Sequence, residues 1–175
     1  IQDYYLNFTG GSENLTYNIG GGYFDQQGVL ANTYFNRTSL NANFEGRVGK
    51  RFKMGNSIIL SRSVRNEPNG STINGAIQMM PYLPVRDASR QGGFRASDFA
   101  DNADPFQPIL ELELIDDERT DTKIFATAFG QYEIIDGLNA RLAVGVETNF
   151  SQSQFFRPLY NAGEVAFNQN DSPSF

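Results

Sequence analysis

Apolar and polar residues alternate along several stretches of this chain, with the period of two that is typical of β-strands. In the stretch 138–150, for example, Leu, Val and Phe residues alternate with Asn, Arg and Glu residues. The consecutive residues Gly20, Gly21 and Gly22 interrupt the second stretch, where they indicate a bend or a bulky neighbour. The alternation predicts six strands, near residues 4–9, 15–25, 34–47, 52–64, 123–134 and 138–150.

The connections between these predicted strands are alternately short and long. Short connections fall at 10–14, 49–51 and 135–137, and longer ones at 26–33, 65–121 and 151–175. An up-and-down sheet with tight turns at one end and long loops at the other is the layout of an outer-membrane barrel. Most of the predicted strands, at roughly 11–14 residues, also suit a tilted membrane crossing. The predicted fold class is therefore all-β, an antiparallel up-and-down meander of about six strands from a larger transmembrane β-barrel, with long extracellular loops.

A soluble β-sandwich is the alternative that alternation leaves open. In a sandwich, the apolar face of each sheet packs on the other sheet, so the same pattern arises without a membrane. Strand length and the asymmetry of the connections favour the barrel. A soluble or surface-exposed carbohydrate-binding sandwich remains the second hypothesis for function.

The two predicted faces differ in chemistry. In a barrel, the apolar face would contact the lipid bilayer, and its aromatic residues would lie at the membrane interfaces. The polar face would line the lumen and offer hydrogen bonds to water, to a plug or to a polar solute. The predicted lumen-facing residues are Arg37, Asn41, Asn43, Glu45, Arg47, Gln131, Glu133, Asn139, Arg141, Glu147 and Asn149.

The composition excludes several classes of function. The chain has no Cys and no His, which removes disulfides, thiol nucleophiles, the commonest general base and the commonest transition-metal ligand. A net charge of -6 argues against nucleic-acid binding, which needs a basic surface. No apolar run approaches the length of a transmembrane helix. We therefore expect no catalytic residue, no cofactor and no metal.

Acidic residues are concentrated in the segment 65–121. The run from Asp116 to Glu118 could ligate Ca²⁺, but it lacks the spacing of a calcium loop, so a solvated charge run is expected. Asp101 and Asp104 could serve glycoside hydrolysis, the third and weakest hypothesis, which nothing in their context favours. Within the same segment, 109–115 is compatible with either a short strand or a helical turn.

Aromatic and Arg side chains in the two long loops are candidates for contact with a substrate or a partner. Aromatic rings can stack on sugar rings, and guanidinium groups can donate several hydrogen bonds. The alternative is that these side chains anchor the loops onto one another. The candidates are Tyr82, Phe94, Arg95, Phe99, Phe155, Phe156, Arg157 and Tyr160.

Several motifs, in order along the chain, resemble those of the SusC/RagA-like TonB-dependent outer-membrane transporters. The residues 23–28 (YFDQQG), followed by 32–33 (NT) and 37–40 (RTSL), are similar to the stretch GYFDQ-G…R-S-R-N of that family. Further similarities are 10–13 (GGSE), 60–66 (LSRSVRN) and 132–138 (YEIIDGL), the last resembling the family's YEI-GL hairpin. The resemblance spans roughly residues 4–150.

This resemblance implies a barrel of about 22 strands around an N-terminal plug. It also implies import of oligosaccharides or peptides across the outer membrane of a Gram-negative, Bacteroidetes-like cell. The implied partners are a SusD-like surface lipoprotein and the TonB complex. Because residues 1–175 contain neither a plug nor a TonB box, and do not begin with Met, we expect a part of the barrel.

Overall fold

The strands of this chain form a meander in which neighbours in sequence are neighbours in space. The computed structural model describes residues 1–67, 72–101, 107–164 and 166–168. Its main sheet is six-stranded, in the order β1-β2-β3-β4-β5-β6. The predicted up-and-down topology is confirmed. The strands are β1 (Gln2–Ser12), β2 (Leu15–Gln27), β3 (Tyr34–Val48), β4 (Phe52–Asn66), β5 (Asp116–Ile135) and β6 (Leu138–Phe156).

All six strands extend beyond their predicted bounds, and three of them do so by three residues or more at one end. The strand predicted at 4–9 spans Gln2–Ser12, and the strand predicted to begin at 123 begins at Asp116. The strand predicted to end at 150 continues to Phe156. The long connection predicted at 65–121 therefore spans 67–115, and the one predicted to begin at 151 begins at 157. The added residues are mostly polar. Where a strand ends depends on backbone pairing with a neighbouring strand, and the alternation of side chains does not report that pairing.

Tight turns join the strands at one end of the meander. The turn between β3 and β4 contains Gly49 at φ 65°, and that between β5 and β6 contains Gly137 at φ 86°. Both values lie in the left-handed region, where glycine has no Cβ to clash. The chain can therefore reverse direction within two or three residues at these positions.

The chain divides into two compact units. The first, here called the sheet unit, comprises Ile1–Gln26, Phe35–Val64 and Thr120–Gln152. The second, here called the loop unit, comprises Gln27–Tyr34, Arg65–Arg119 and Ser153–Phe175.

The sheet unit is a single layer that leaves large apolar side chains exposed. Leu6 is 69% exposed, Leu142 73% and Val144 62%. A β-sandwich would bury such a face beneath a second sheet. The other sheet in the described part of the chain is only two-stranded, pairing β7 (Tyr160–Asn161) with β8 (Phe167–Asn168). The described residues therefore do not form a β-sandwich.

The loop unit has a small apolar core. It contains the helices α1 (Thr72–Gln78) and α2 (Pro108–Leu114) and a 3₁₀ turn at Phe99–Asp101. Helix α2 settles the ambiguous segment 109–115, and it begins where the Gln107 side chain accepts a hydrogen bond from the Ile109 N–H. The buried core residues are Phe94, Ala96, Leu110, Tyr160 and Ala162.

None of the helices in the described ranges is long and apolar enough to cross a membrane.

Candidate functional site

Polar side chains on one face of the sheet unit form hydrogen bonds from strand to strand. The Tyr5 hydroxyl on β1 donates to Asn41 Oδ1 on β3 at 3.1 Å. Asn41 Nδ2 in turn donates to Asn18 Oδ1 on β2 at 3.1 Å. Because hydrogen-bonded side chains must project from the same side of a sheet, these contacts define one polar face across the first three strands.

The polar face continues across the remaining strands. Lys53 Nζ on β4 lies 2.9 Å from Glu45 Oε1 on β3. The Arg141 guanidinium on β6 lies 4.2 Å from the ring centroid of Phe129 on β5, a cation–π contact. A Cβ at Gly55 on β4 would lie 2.6 Å from Cε1 of Phe129 on β5, so the two pairs lie on a common face, which is the arrangement that alternation alone predicts.

Five of the residues predicted to face the lumen take part in the contacts between strands described here. Besides Asn41, Glu45 and Arg141, Gln131 Nε2 donates to Asn139 Oδ1 at 3.3 Å. The remaining predicted residues share the parity of a contacting residue on their own strand and so lie on the same side. They are Arg37, Asn43, Arg47, Glu133, Glu147 and Asn149.

A shallow cavity of about 300 Å³ opens on this polar face near Tyr5. The glycines of β2 leave room for the Tyr5 side chain beside this cavity, because a Cβ at Gly22 would lie 3.2 Å from Cδ2 of Tyr5. A Cβ at Gly20 would lie 2.6 Å from Asn41 Oδ1. Tyr5 is thus the bulky neighbour that the consecutive glycines indicated. The cavity is lined by Asp3, Tyr5, Gly22, Tyr23, Phe24, Arg37 and Ser39.

An ion-pair network holds together the segment 87–101 of the loop unit. Arg90 Nη2 lies 2.7 Å from Asp98 Oδ2, and Arg95 also pairs with Asp98. Arg95 Nη2 further contacts Asp101 Oδ2 at 3.0 Å, and Arg90 Nε contacts Asp87 Oδ2 at 3.2 Å. The guanidinium groups of Arg90 and Arg95 hold the pKa of Asp98 well below its usual range. Arg95, which was predicted to contact a substrate or a partner, thus forms ion pairs with Asp98 and Asp101 of its own unit.

The other predicted contact residues divide by burial. Phe94 is 1% exposed and Tyr160 is 9% exposed, so both belong to the core of the loop unit and are withdrawn as candidates for solute contact. In the sequence, a large aromatic ring is compatible with solute contact or with burial in a core, and both of these rings are buried in the core. By contrast, Tyr82, Phe99 and Phe156 have exposed side chains.

The last two predicted contact residues, Phe155 and Arg157, line a cavity of about 270 Å³ in the loop unit. The Arg157 guanidinium lies 5.5 Å from the Phe155 ring centroid. In the described part of the chain, Arg157 Nε and Glu111 Oε2 are buried without a hydrogen-bond partner. Burial raises the pKa of Glu111, while the charge of Arg157 opposes that shift. The cavity lining consists of Glu67, Thr72, Glu111, Ile115, Asp117, Phe155 and Arg157.

Sequence reasoning did not identify Glu111 as a site residue. It is one of many acidic residues in its segment, and only the fold shows that its carboxylate faces Arg157 in a cavity. The alternation of apolar and acidic residues in 109–115 is typical of a strand, whereas this segment forms helix α2, so the sequence pattern gave no signal for Glu111.

The acidic run at the start of β5 is used for hydrogen bonds within the loop unit. Asp116 Oδ1 accepts from Asn32 Nδ2 at 2.9 Å, and Glu118 Oε2 accepts from the Tyr34 hydroxyl at 2.7 Å. The acidic run was expected to be solvated, but two of its three carboxylates accept hydrogen bonds from side chains of the loop unit. Within the described ranges, no three acidic side chains come together in a way that could hold a metal ion.

Of the pair considered for glycoside hydrolysis, Asp101 and Asp104, one member lies among the described residues. Asp101 is bound by Arg95 and accepts a hydrogen bond from the Asp98 N–H at 2.7 Å. Asp104 lies outside the described residues.

Comparison with known proteins agrees with this architecture. No family model matches the chain. The chain is 30% identical over 169 residues to TonB-dependent receptor P3 of Formosa agariphila, in an alignment that covers 90% of the chain and 16% of that protein. The chain is therefore similar to part of a TonB-dependent receptor.

The fold of this 175-residue segment is also found in a solved structure. The RagAB peptide importer in its closed-closed state matches 90% of the segment and 18% of the importer chain, with a TM-score of 0.67. At 21% sequence identity, this likeness establishes the fold. The segment spans about one sixth of the length of the receptor that it matches.

Proposed function

We propose that this receptor segment forms part of the barrel wall of a TonB-dependent importer in the bacterial outer membrane. The observation that carries the proposal is the single-layered sheet with two different faces. One face carries hydrogen-bonded polar side chains, as between Tyr5, Asn18 and Asn41. The other leaves residues such as Val144 exposed, which is unfavourable in water and favourable in lipid.

In this proposal, the polar face is turned to the lumen and the plug. Amide, hydroxyl and guanidinium groups can exchange hydrogen bonds with water and with a passing solute, so the wall hydrates the path without holding the solute tightly. No covalent step is involved. The energy for import comes from the TonB complex, which acts on a plug that these residues do not include.

The solute of the proposed importer is an oligosaccharide or a peptide, captured between the extracellular loops and a SusD-like surface lipoprotein. The solved neighbour is a peptide importer, which supports import as the class of activity. The half-buried Phe155 and Arg157 in the loop unit support capture, because they offer a ring and a cation to a solute.

Uptake by cells that express the full-length receptor tests the proposal. We expect labelled oligosaccharides or peptides to accumulate in cells that have both the receptor and TonB, and to stay near background when either is deleted. Accumulation at the same rate in cells without TonB would contradict the proposal. The deletion of an unrelated TonB-dependent receptor serves as the control.

A further inference from the structure

On the strands of the sheet unit, all of whose residues the structure describes, Arg62 is the one cation on the apolar face. It lies nine residues from Lys53 on β4, and Lys53 pairs with Glu45 on the polar face, so the Arg62 side chain projects from the opposite side. A single charge among Leu, Ile and Val side chains on a lipid-facing surface points to a function. The other Lys and Arg residues on these strands have the parity of the polar face; they are Arg37, Arg47, Lys53, Lys123 and Arg141.

Arg62 has no partner in the described part of the chain. Its side chain is exposed, and it forms neither an ion pair nor a hydrogen bond with any described residue. Asp25, the acidic residue on the same face of the sheet unit, lies on β2, two strands or about 10 Å from β4. The guanidinium is therefore available to an anion from outside the chain.

The depth of Arg62 corresponds to the level of the lipid headgroups. On β5, the apolar side chains of the range 124–134 rise by about 26 Å at about 3.4 Å per residue and a tilt of about 40°, which matches an apolar band of about 25 Å. The Glu133 N–H donates to the Arg51 carbonyl at 2.9 Å, which fixes the register of β4 and β5. In this register Arg62 lies opposite Thr122, just beyond the apolar range toward the long-loop end.

Two threonines flank the guanidinium. Thr122 is its neighbour on β5, and the tight turn between β3 and β4 places Thr38 opposite it on β3. Directly opposite residues have Cβ atoms about 4.5–5.5 Å apart, so one anionic group can contact both hydroxyls and the guanidinium. A phosphate suits this arrangement, because the guanidinium can donate two parallel N–H bonds to its oxygens and each hydroxyl can donate one more.

Exposed tyrosines lie at the same level of the apolar face. Tyr4 and Tyr23 form a cross-strand pair, and both rings are exposed. The Arg47 N–H donates to the Asn14 carbonyl at 2.8 Å, and the register that follows places this pair level with Thr38. Because tyrosines are enriched where a membrane meets water, the row of side chains supports the depth assigned to the guanidinium.

We infer that Arg62, with the hydroxyl groups of Thr38 and Thr122, binds a phosphate group of a lipid in the outer leaflet of the outer membrane. The inference rests on the membrane location in the proposed function, and it adds a lipid site on the outside of the barrel. In that location the long-loop end of the apolar face lies in the outer leaflet, so the anion that reaches Arg62 is a lipid phosphate.

Lipid binding to the purified full-length receptor in a neutral detergent tests the inference. The probe is lipid A that carries two phosphate groups, compared with lipid A from which both have been removed. We expect the phosphorylated form to bind about fivefold more tightly or better, measured by native mass spectrometry. Arg62→Gln should abolish most of that preference, and Thr122→Val, which keeps the shape and removes the hydroxyl, should reduce it about twofold or more.

Arg51→Gln is the matched control. It removes an exposed guanidinium in the tight turn that precedes β4, at the opposite end of the strand from Arg62. The preference for phosphorylated lipid A should stay within about twofold of the unmodified receptor. Heat-modifiable migration in electrophoresis will show that each variant is folded.

Four results would overturn the inference. They are equal binding of the two forms of lipid A, an unchanged preference in Arg62→Gln, an equal loss in Arg51→Gln, and displacement of lipid A by an equal concentration of inorganic phosphate. The last result would assign the site to free phosphate. A change in oligomeric state in Arg62→Gln without a change in lipid binding would also overturn it, since Arg62 would then contact a second receptor.

Uptake measurements separate the inference from the import function. An Arg62-dependent preference for phosphorylated lipid A in a receptor without TonB-dependent uptake would support the inference and contradict import. TonB-dependent uptake by a receptor that lacks the preference would overturn the inference and leave import standing.

Discussion

Gly55 on β4 is a position where the polar face depends on the absence of a side chain. A Cβ there would lie 2.6 Å from Cε1 of Phe129 and 3.0 Å from the carbonyl oxygen of Phe44. Gly55→Ala must therefore displace the Phe129 ring, which also contacts the Arg141 guanidinium. We expect a loss of about 1–3 kcal/mol in stability, measured by urea unfolding of the receptor in detergent.

Gly145 on β6 is the matched control for Gly55. A Cβ at this position would lie 3.4 Å from Cγ2 of Thr127, at the lower limit of ordinary van der Waals contact. Gly145→Ala should change the stability by less than about 0.5 kcal/mol. If the two variants unfold at the same urea concentration, Gly55 does not have the packing role assigned to it.

Asp98 makes the loop unit sensitive to acid. Hydrogen bonds from Arg90 and Arg95 lower its pKa from the ordinary 3.8, so the ionised form is favoured in the folded state. Its contribution to stability is present above pH 3.8 and is lost as the pH falls through the lower, folded-state pKa. We expect amide hydrogens in 87–101 to lose protection below about pH 4, measured by hydrogen exchange and mass spectrometry.

The Asp98→Asn variant checks this assignment. It should lower the protection of 87–101 already at neutral pH and flatten the pH dependence, because the amide cannot ionise. Asp136→Asn, in the β5–β6 turn, should leave both unchanged. A steep loss of protection below pH 4 that persists in Asp98→Asn would show that another group is responsible.

At the scale of the element, strand β6 tests which face meets lipid. Val144 is 62% exposed on the apolar face, whereas Ala143 shares the parity of Arg141 on the polar face. Val144→Arg should destabilise the barrel by about 2–4 kcal/mol at mid-depth, and Ala143→Arg by much less. The measurement is the amount of folded receptor in the outer membrane.

Equal amounts of the two Arg variants would contradict this orientation. A stronger defect in Ala143→Arg would reverse it, with the polar face outward. Expression of each variant is compared with that of the unmodified receptor, so that differences in synthesis are separated from differences in assembly.

The existence of the strands was predictable, and several of their ends were not. Period-two alternation identified β2, β3 and β4 almost to their bounds. The first residues of β5, including Asp116, and the last of β6, including Phe156, lie outside any clear alternation. They are strands because a paired neighbour satisfies their backbone groups, which is a tertiary effect.

For the whole molecule, the proposed place of the meander in an outer-membrane barrel predicts which connections face the outside of the cell. The 175 residues contain no Cys, so single cysteines can be introduced and labelled selectively. Val29→Cys and Ala88→Cys, in connections at the long-loop end, should react with an impermeant maleimide on intact cells. Lys50→Cys and Asp136→Cys, in the tight turns, should react only after the outer membrane is permeabilised.

The four positions are compared with one another, because the topology predicts which two react on intact cells and which two do not. Labelling of Lys50→Cys and Asp136→Cys on intact cells, with Val29→Cys and Ala88→Cys protected, would invert the proposed topology. Labelling of all four positions on intact cells would show that the segment does not span the membrane. Any native cysteine elsewhere in the full-length receptor is replaced beforehand.

The candidate site was predictable only in part. Phe155 and Arg157 were proposed from residue type, and both line the cavity of the loop unit. Phe94 and Tyr160 were proposed on the same grounds and are core residues. Residue type does not distinguish a ring that packs inward from one that lines a cavity, because both roles use the same apolar surface.

Strand pattern, turn positions and the polarity of each face follow from the chain, because alternation and glycine conformation are local properties. They were sufficient to predict the meander and the layout of an outer-membrane barrel, whereas the resemblance to TonB-dependent transporters came from short motifs in order along the chain. The cavity with Glu111 brings together residues far apart in sequence, and the Asp98 carboxylate accepts a hydrogen bond from the distant Glu164 N–H. Only tertiary contacts determine such sites, because the burial and the partners of a side chain depend on which distant segments pack against it.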